Sequence, residues 1–386
     1  MQYVTQKVQN TQHGKRNRSL EADFRVFIEN YTEHGNILLA SPGDITSFLA
    51  DRDTCGKTTV HIVDCPSIMD RDPECSCPKR LAFGTLLNII SLLHGLFDKI
   101  GLQGQWNPVT SSGNPVMSPE VMLYKKGIKK EQSQGHVLIK QAKLLFLDKL
   151  SMIIDHINNV LVGPLLSRKR FIALRDKAFF LMQFFSGDRA GDLGHMLAQE
   201  IKALPDDSGI VVTHTDGKNL SVGRTNVYSI PKCPESSLCV ISALDKYSSG
   251  CEKMGVSLKY GYLFRPVTES GMVLDQPLSY NAVYDRLKYY LQFLNVYDGE
   301  TPHSLRGACA MMMAAQGGPD LAPEVMKHIG WFDQKSLSLY SRNVQLKNNV
   351  ISKMLSTMIK NQNAECEPLS ELRTTVNADT LNKFFK

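Results

Sequence analysis

Two stretches constrain the chain most: RLAFGTLLNIISLLHGLFDKI over residues 80–100 and HVLIKQAKLLFLDKLSMIIDHINNVL over 136–161. Both place apolar residues at three- and four-residue steps, so each winds into a helix with one oily face that must be buried against a partner. LEADFRVFIENY adds Leu20, Phe24, Phe27 and Ile28 on one face, and SPGDITSFLADR opens on a serine suited to cap a second helix. The first half is therefore expected to be a helical module over 20–162. Residues 52–78, rich in Cys, Pro and Asp, break the pattern as an irregular insertion. Ahead of the module, 1–19 reads as a flexible basic arm, with Lys7, Lys15, Arg16 and Arg18 and no acidic residue.

Gly163-Pro164, followed by Arg168, Lys169 and Arg170, marks a boundary. Beyond it FIALRDKAFFLMQFF reads as a buried helix ending at Ser186-Gly187, and GIVVTHT and NVYSI read as strands around an Asp216-Gly217 turn. Short helices follow, giving a second domain over 163–360 and a tail over 361–386. The expected class is mainly α with a small antiparallel β-sheet. With 386 residues, 42% of them hydrophobic, the chain can bury more than one core and is not disordered as a whole. A net charge of +6 permits a polyanionic partner without demanding one. The longest near-apolar run, LLNIISLLHGLF, is too short for a bilayer, the start lacks a secretory signal, and nine cysteines is an odd number, so an intracellular protein with reduced thiols and no membrane partner is expected.

Several polar residues of the second half are weak signals singly and strong ones in sequence. Arg189 follows the Gly187 break, with Asp192 three residues on to hold its guanidinium. Lys218 stands beside the Asp-Gly turn. Thr301-Pro302 begins a helix whose first turns carry His303 and Arg306 on one face, Trp331 follows Gly330, and Tyr340 comes nine residues later. Phosphodiester transfer without a metal needs such a set. A pentacoordinate phosphoryl transition state carries excess negative charge on its non-bridging oxygens, which guanidinium forks bind bidentately in place of divalent cations. Tyrosine, with a free pKa of about 10, becomes a good nucleophile beside such cations.

The order Arg, Lys, His-x-x-Arg, Gly-Trp, Tyr resembles the tyrosine recombinases, the phage integrase-like family. HSLRGACAMMMAAQGG followed by GWFDQKSLSLYSRN is especially similar to the Cre-like members that carry Trp, the match running over roughly residues 165–355. That resemblance implies a helical core-binding DNA-binding domain in the first half and a catalytic domain in the second. It implies Arg189 and Arg306 as catalytic arginines, Asp192 as support for the first, Lys218 as the hairpin lysine, His303 as the acid/base histidine, Trp331 as a phosphate-side donor and Tyr340 as the nucleophile. It implies double-stranded DNA as partner, no required cofactor, and a tetramer on paired sites, to which the apolar pairs Val350-Ile351, Met354-Leu355 and Met358-Ile359 would contribute. CPKRLAFGT, SGNPVMSPEV and EQ…KQAK further resemble recombinases of eukaryotic mobile elements of Crypton or DIRS/Ngaro type, hence a nuclear location, or a cytoplasmic one in a cell without a nucleus. A domesticated DNA-binding protein and a type IB topoisomerase-like activity are the other readings.

His61, Cys65, Cys75 and Cys77 offer four zinc-type ligands within the insertion, over 17 residues. The spacing is that of no standard finger, so either a structural zinc staples the loop or the thiols pack reduced.

Overall fold

The computed structural model describes residues 12–62, 65, 75–135, 137, 143–162, 167–217, 220, 224–233, 237–317 and 322–331. The protein is mainly helical with small antiparallel sheets, and it divides into two compact units, Met1–Lys140 and Gln141–Lys386.

In the first unit the helices are α1 (Gln12–Tyr31), α2 (Pro42–Thr54), α3 (Phe83–Lys99) and α4 (Pro119–Gln134). Phe24 of α1 is fully buried and meets Phe48 of α2 edge-on at 5.0 Å and Phe97 of α3 at 5.9 Å. Such pairs add about 0.5–1.5 kcal/mol each beyond area burial. α2 starts where the sequence put it: Ser41 Oγ accepts from Asp44 N at 3.3 Å, and the Asp44 carboxylate accepts from Ser41 N at 2.8 Å, a reciprocal cap. α1 starts earlier than expected, because nothing in 12–19 breaks a helix except Gly14, so only 1–11 of the expected flexible arm lies outside the described residues. Asn114 is fully buried and pins the segment between α3 and α4 to α3, donating to His94 O at 3.1 Å and Asp98 Oδ1 at 3.0 Å. α4 presents Lys125, Lys126, Lys129 and Lys130, all exposed, at the one- and four-residue spacings of a single face.

The insertion is narrower than 52–78, since α2 continues to Thr54 and a two-stranded ribbon, β1 (Thr58–Thr59) against β2 (Lys79–Arg80), closes its root. The root is stapled on both sides. Buried Asp53 of α2 accepts from Leu81 N at 2.8 Å, while Gln132 of α4 accepts from Phe83 N at 2.9 Å and donates to Leu81 O at 2.7 Å.

The second unit contains α5 (Leu147–Val160), α6 (Arg168–Ser186), α7 (Ala190–His195), α8 (Val240–Lys253), α9 (Tyr280–Phe293), α10 (Pro302–Gly317) and α11 (Ala322–Ile329). Its sheet has the order β3-β4-β5, with β3 (Ile201–Ala203), β4 (Gly209–His214) and β5 (Asn226–Pro231) all antiparallel. α6 runs through the centre with apolar side chains buried on all sides, Phe171, Phe179, Phe180 and Met182 among them. Its buried charges are satisfied locally: Asp176 takes Arg175 Nη2 at 2.8 Å, Arg286 Nε at 2.6 Å and Tyr290 OH at 3.0 Å, the last two from α9.

Three sequence expectations are corrected. The boundary expected at 162–163 falls between Lys140 and Gln141, because Leu150, Ile153, Ile154 and Ile157 of α5 are buried in the second unit's core and Lys177 of α6 donates to Asn158 at 2.7 Å. The helix expected from 136 begins only at Leu147, since Leu145 N is drawn to Ser304 O at 3.3 Å. The Asp216-Gly217 pair is not a two-residue hairpin turn: the register ends at His214 opposite Asn226, and residues 215–225 connect the strands.

Candidate active site

α6 stops at Gly187, whose φ of +66° is left-handed and whose N–H returns to Gln183 O at 3.0 Å. A Cβ there would lie 3.1 Å from Ile329 Cγ1 and 3.3 Å from Cys309 Sγ, so glycine lets the end of α6 approach α10 and α11. Gln183 is fully buried and donates to Pro302 O at 2.8 Å, tying the start of α10 to the same point. Arg306, on the second turn of α10, is 2% exposed; its Nη1 donates to Gly187 O and, at 3.2 Å, to Ile329 O. The loop entering α10 is fixed from α5, where Lys149 pairs with fully buried Glu300.

Arg189, two residues past Gly187, stands at the N-cap of α7 with Nη1 3.3 Å from Asp192 Oδ2. Arg189, Asp192 and Arg306 line one small cleft, together with His214, Asn226 and Gly330. His303 keeps solvent-open surface on the first turn of α10, and desolvation followed by the positive charges of Arg306 and Arg189 lowers its pKa. It is therefore neutral near pH 7 and able to accept a proton. Trp331 is buried against Ala310, Val325 and Ile329, with its ring 5.4 Å from Arg306 Cζ, so the indole holds the guanidinium from the side. Gly330 has φ +71°, and a Cβ on it would come within 2.9 Å of Asn226 Nδ2, which donates to His328 O at 3.3 Å. The structure thus brings Arg189, Asp192, His303, Arg306 and Trp331 together. Lys218, Tyr340, the apolar pairs after it and the 361–386 tail lie outside the described residues.

Sequence reasoning missed a buried layer behind the arginines. Asp188 is 5% exposed; its Oδ2 accepts from Tyr228 OH at 2.6 Å and lies 3.6 Å from His214 Nδ1. Burial, then the Asp188 charge, pushes the Tyr228 hydroxyl well above its ordinary pKa, so it stays a donor. Burial works against a charged His214, yet the Asp188 carboxylate facing its Nδ1, with Glu200 and Asp192 beyond, prevails and raises its pKa. A usable signal existed: His214 occupies an inward position of β4, alternating with Val212 and Ile210, where an apolar residue is the norm. Two guanidinia, a neutral imidazole and a buried carboxylate layer can bind a phosphodiester and stabilise charge growing on its oxygens.

A second cluster stands in the first unit. Nδ1 of His61 and the Sγ atoms of Cys65, Cys75 and Cys77 all lie within 4.8 Å of one another, with Cys65 and Cys75 at 3.4 and 3.5 Å from His61 Nδ1. Tetrahedral zinc with Zn–S of about 2.3 Å needs ligand atoms roughly 3.5–4 Å apart, so the donor set and its spacing fit that ion. A backbone N–H from Ile62 favours the Cys77 thiolate, but desolvation and the neighbouring Cys65 and Cys75 thiols overcome it and raise its pKa. A divalent cation would relieve that crowding.

Residues 4–129 match the protein family described as the ALOG domain. Among curated proteins, the chain is 28% identical over 114 residues to Protein LIGHT-DEPENDENT SHORT HYPOCOTYLS 5 of Arabidopsis thaliana, covering 29% of this chain and 59% of that one. It is 26% identical over 196 residues to the integrase/recombinase xerD homolog of Selenomonas ruminantium, covering 50% and 55%. The chain thus spans just over half the length of these curated relatives. Among solved structures it is similar to the XerH site-specific recombinase bound to palindromic difH substrate, with a TM-score of 0.49 and 13% identity over 82% of this chain and 73% of that one. A lambda integrase dimer bound to a core site gives 0.44 and 15% over 86% and 71%.

Proposed function

We propose that this protein is a site-specific DNA recombinase or integrase that cuts and rejoins duplex DNA through a 3′-phosphotyrosine at Tyr340, with neither metal nor ATP at the reacting centre. The observation that carries this reading is the convergence of Arg189 and Arg306 on one cleft, with His303 near enough that both guanidinia lower its pKa. In the proposed step the two guanidinia grip the non-bridging oxygens while the Tyr340 oxygen attacks phosphorus and its proton passes to His303. The bond from phosphorus to the 5′ oxygen breaks, and Lys218 protonates that oxygen. The phosphotyrosine keeps the bond energy for religation. The chain would act as a tetramer on paired sites, in the nucleus of a cell hosting a mobile element of Crypton or DIRS/Ngaro type. The test is a nicked duplex taken from the sequence flanking the gene. An SDS-resistant adduct with a free 5′ hydroxyl, and recombination of paired sites, are expected; supercoil relaxation on any plasmid without recombination would instead assign a topoisomerase.

A second reading, a DNA-contacting protein without strand exchange, is favoured by the ALOG match to residues 4–129 and by the shortness of the Arabidopsis alignments, 114 and 93 residues, about the size of the first unit alone. Binding without adduct formation would select it.

On either reading the first unit is proposed to grip DNA phosphates, and the exposed lysines of α4 support this. Replacing Lys125, Lys126, Lys129 and Lys130 together with Gln should flatten the slope of log K against log salt by up to about 3–4, since each phosphate contact contributes about 0.9. An unchanged slope in a filter-binding or anisotropy titration would remove α4 from the interface.

One structural zinc is proposed at His61, Cys65, Cys75 and Cys77, where it would crosslink the insertion above its ribbon. The purified full chain should carry about one zinc per molecule by elemental analysis, and Cys75→Ser should lose most of it. Cobalt substitution should produce a thiolate-to-metal absorption band. A metal content near zero in wild type refolded with zinc would leave the thiols as packing groups.

A further inference from the structure

His214 is left unused by the phosphodiester reading. It is 3% exposed, stands at the end of β4, and lines the same cleft as Arg189 and Arg306. Its Nδ1 faces the Asp188 carboxylate at 3.6 Å, and its Nε2 is buried with no hydrogen-bond partner among the described residues. A buried polar nitrogen left in that state is destabilising, so a retained one calls for a ligand. The neighbourhood holds the ring in one orientation. Tyr228 from β5 donates to the same Asp188 oxygen, fixing the carboxylate. Glu200 accepts from Thr215 N at 2.8 Å and from the Thr215 hydroxyl, fixing the backbone immediately after His214.

We propose that His214 is a further phosphate-contacting residue of the cleft, held at Nδ1 by Asp188 and donating from Nε2 to a non-bridging oxygen of the scissile phosphate. This rests on the strand-transfer reading above. Charges face the ring from each neighbouring element: Asp188 between α6 and α7, Asp192 on α7 and Glu200 before β3 are anionic, while Arg189 and Arg306 across the cleft are cationic. Tyr228 on β5 is neutral and hydrogen-bonded. The three carboxylates outweigh burial and favour the imidazolium, which has a proton on both nitrogens and so can serve Asp188 and a phosphate together. An arriving phosphate, itself anionic, favours that form further. His303 differs in kind, since the arginines lower its pKa and keep it an acceptor. The two histidines are thus shifted in opposite directions, His214 up by carboxylates and His303 down by burial and the arginines.

The experiment combines single-turnover adduct formation on the nicked flanking duplex with NMR titration of histidine side chains in the full-length Tyr340→Phe protein, free and bound to the same duplex. With adduct formed by wild type, His214→Phe should slow it 10- to 100-fold at unchanged DNA affinity. His214→Gln, which keeps a donor that does not titrate, should restore the rate to within about tenfold and remove the decline in rate that wild type shows as the His214 imidazolium loses its proton. Equal rates and pH profiles in all three proteins would overturn the proposal and leave His214 as packing. Should His214→Phe fail to fold, the Gln profile and the native ring decide. The His214 protonation constant should rise about tenfold or more on adding duplex, and no change would overturn the contact. With no adduct from wild type, the strand-transfer reading fails by itself. The same titration then tells whether His214 meets a phosphate in a binding protein or meets none.

Discussion

Tyr340→Phe is expected to bind the flanking duplex with wild-type affinity and to form no SDS-resistant adduct at all on a nicked substrate from which religation is blocked. The substitution keeps the ring and removes only the oxygen that would attack phosphorus, so no transition-state donor can compensate for it. Adduct formation is read on a denaturing gel, and binding by anisotropy in parallel. An adduct of undiminished yield in the variant would move the nucleophile to another residue, whereas loss of binding together with the adduct would make Tyr340 a structural group.

Arg306→Ala should lower the single-turnover rate of adduct formation by about 10²–10³, the 3–4 kcal/mol typical of removing one preorganised donor to a developing oxyanion. The effect should exceed that on duplex affinity, because one phosphate contact among many contributes little to binding. Arg306 is anchored to Gly187 O and Ile329 O and flanked by the Trp331 ring, so its guanidinium is oriented before DNA arrives. Arg306→Lys keeps the charge but loses the planar fork and both carbonyl anchors together, and is expected to recover little of the lost rate. A Lys variant reacting at the wild-type rate would reduce the role of Arg306 to bulk charge.

How far these features were legible in the sequence depends on whether their causes are local. Ser41 announces α2 because an N-cap acts within three residues, and Gly187 announces the end of α6 because only glycine enters the left-handed region freely. The pairing of Arg189 with Asp192 was equally legible as neighbours three apart. The allegiance of α5 was not: an apolar stripe states that a face will be buried but does not name the core that receives it, and here Lys149–Glu300 and Leu145–Ser304 recruit it to the second unit. Asp216-Gly217 misled for a related reason, since the Glu200 carboxylate from outside the strand pair holds Thr215 and the ladder ends at His214 opposite Asn226. Asp188, His214 and Tyr228 are separated by long stretches of chain and meet only through the antiparallel register of β4 and β5, which no short-range pattern encodes.

Gly187 and Gly330 contribute no side chain to the cleft, yet each sets where an important group lies: one offers Arg306 its carbonyl from a left-handed turn, the other lets α11 close onto Asn226. The target for inactivating substitutions is thus wider than the set of reacting residues. A methyl group added at either position would bring both backbone strain of about 1–2 kcal/mol and a steric contact. For a chain propagated under weak selection, decay could begin in these silent hinges while every chemically active residue is still spelled correctly.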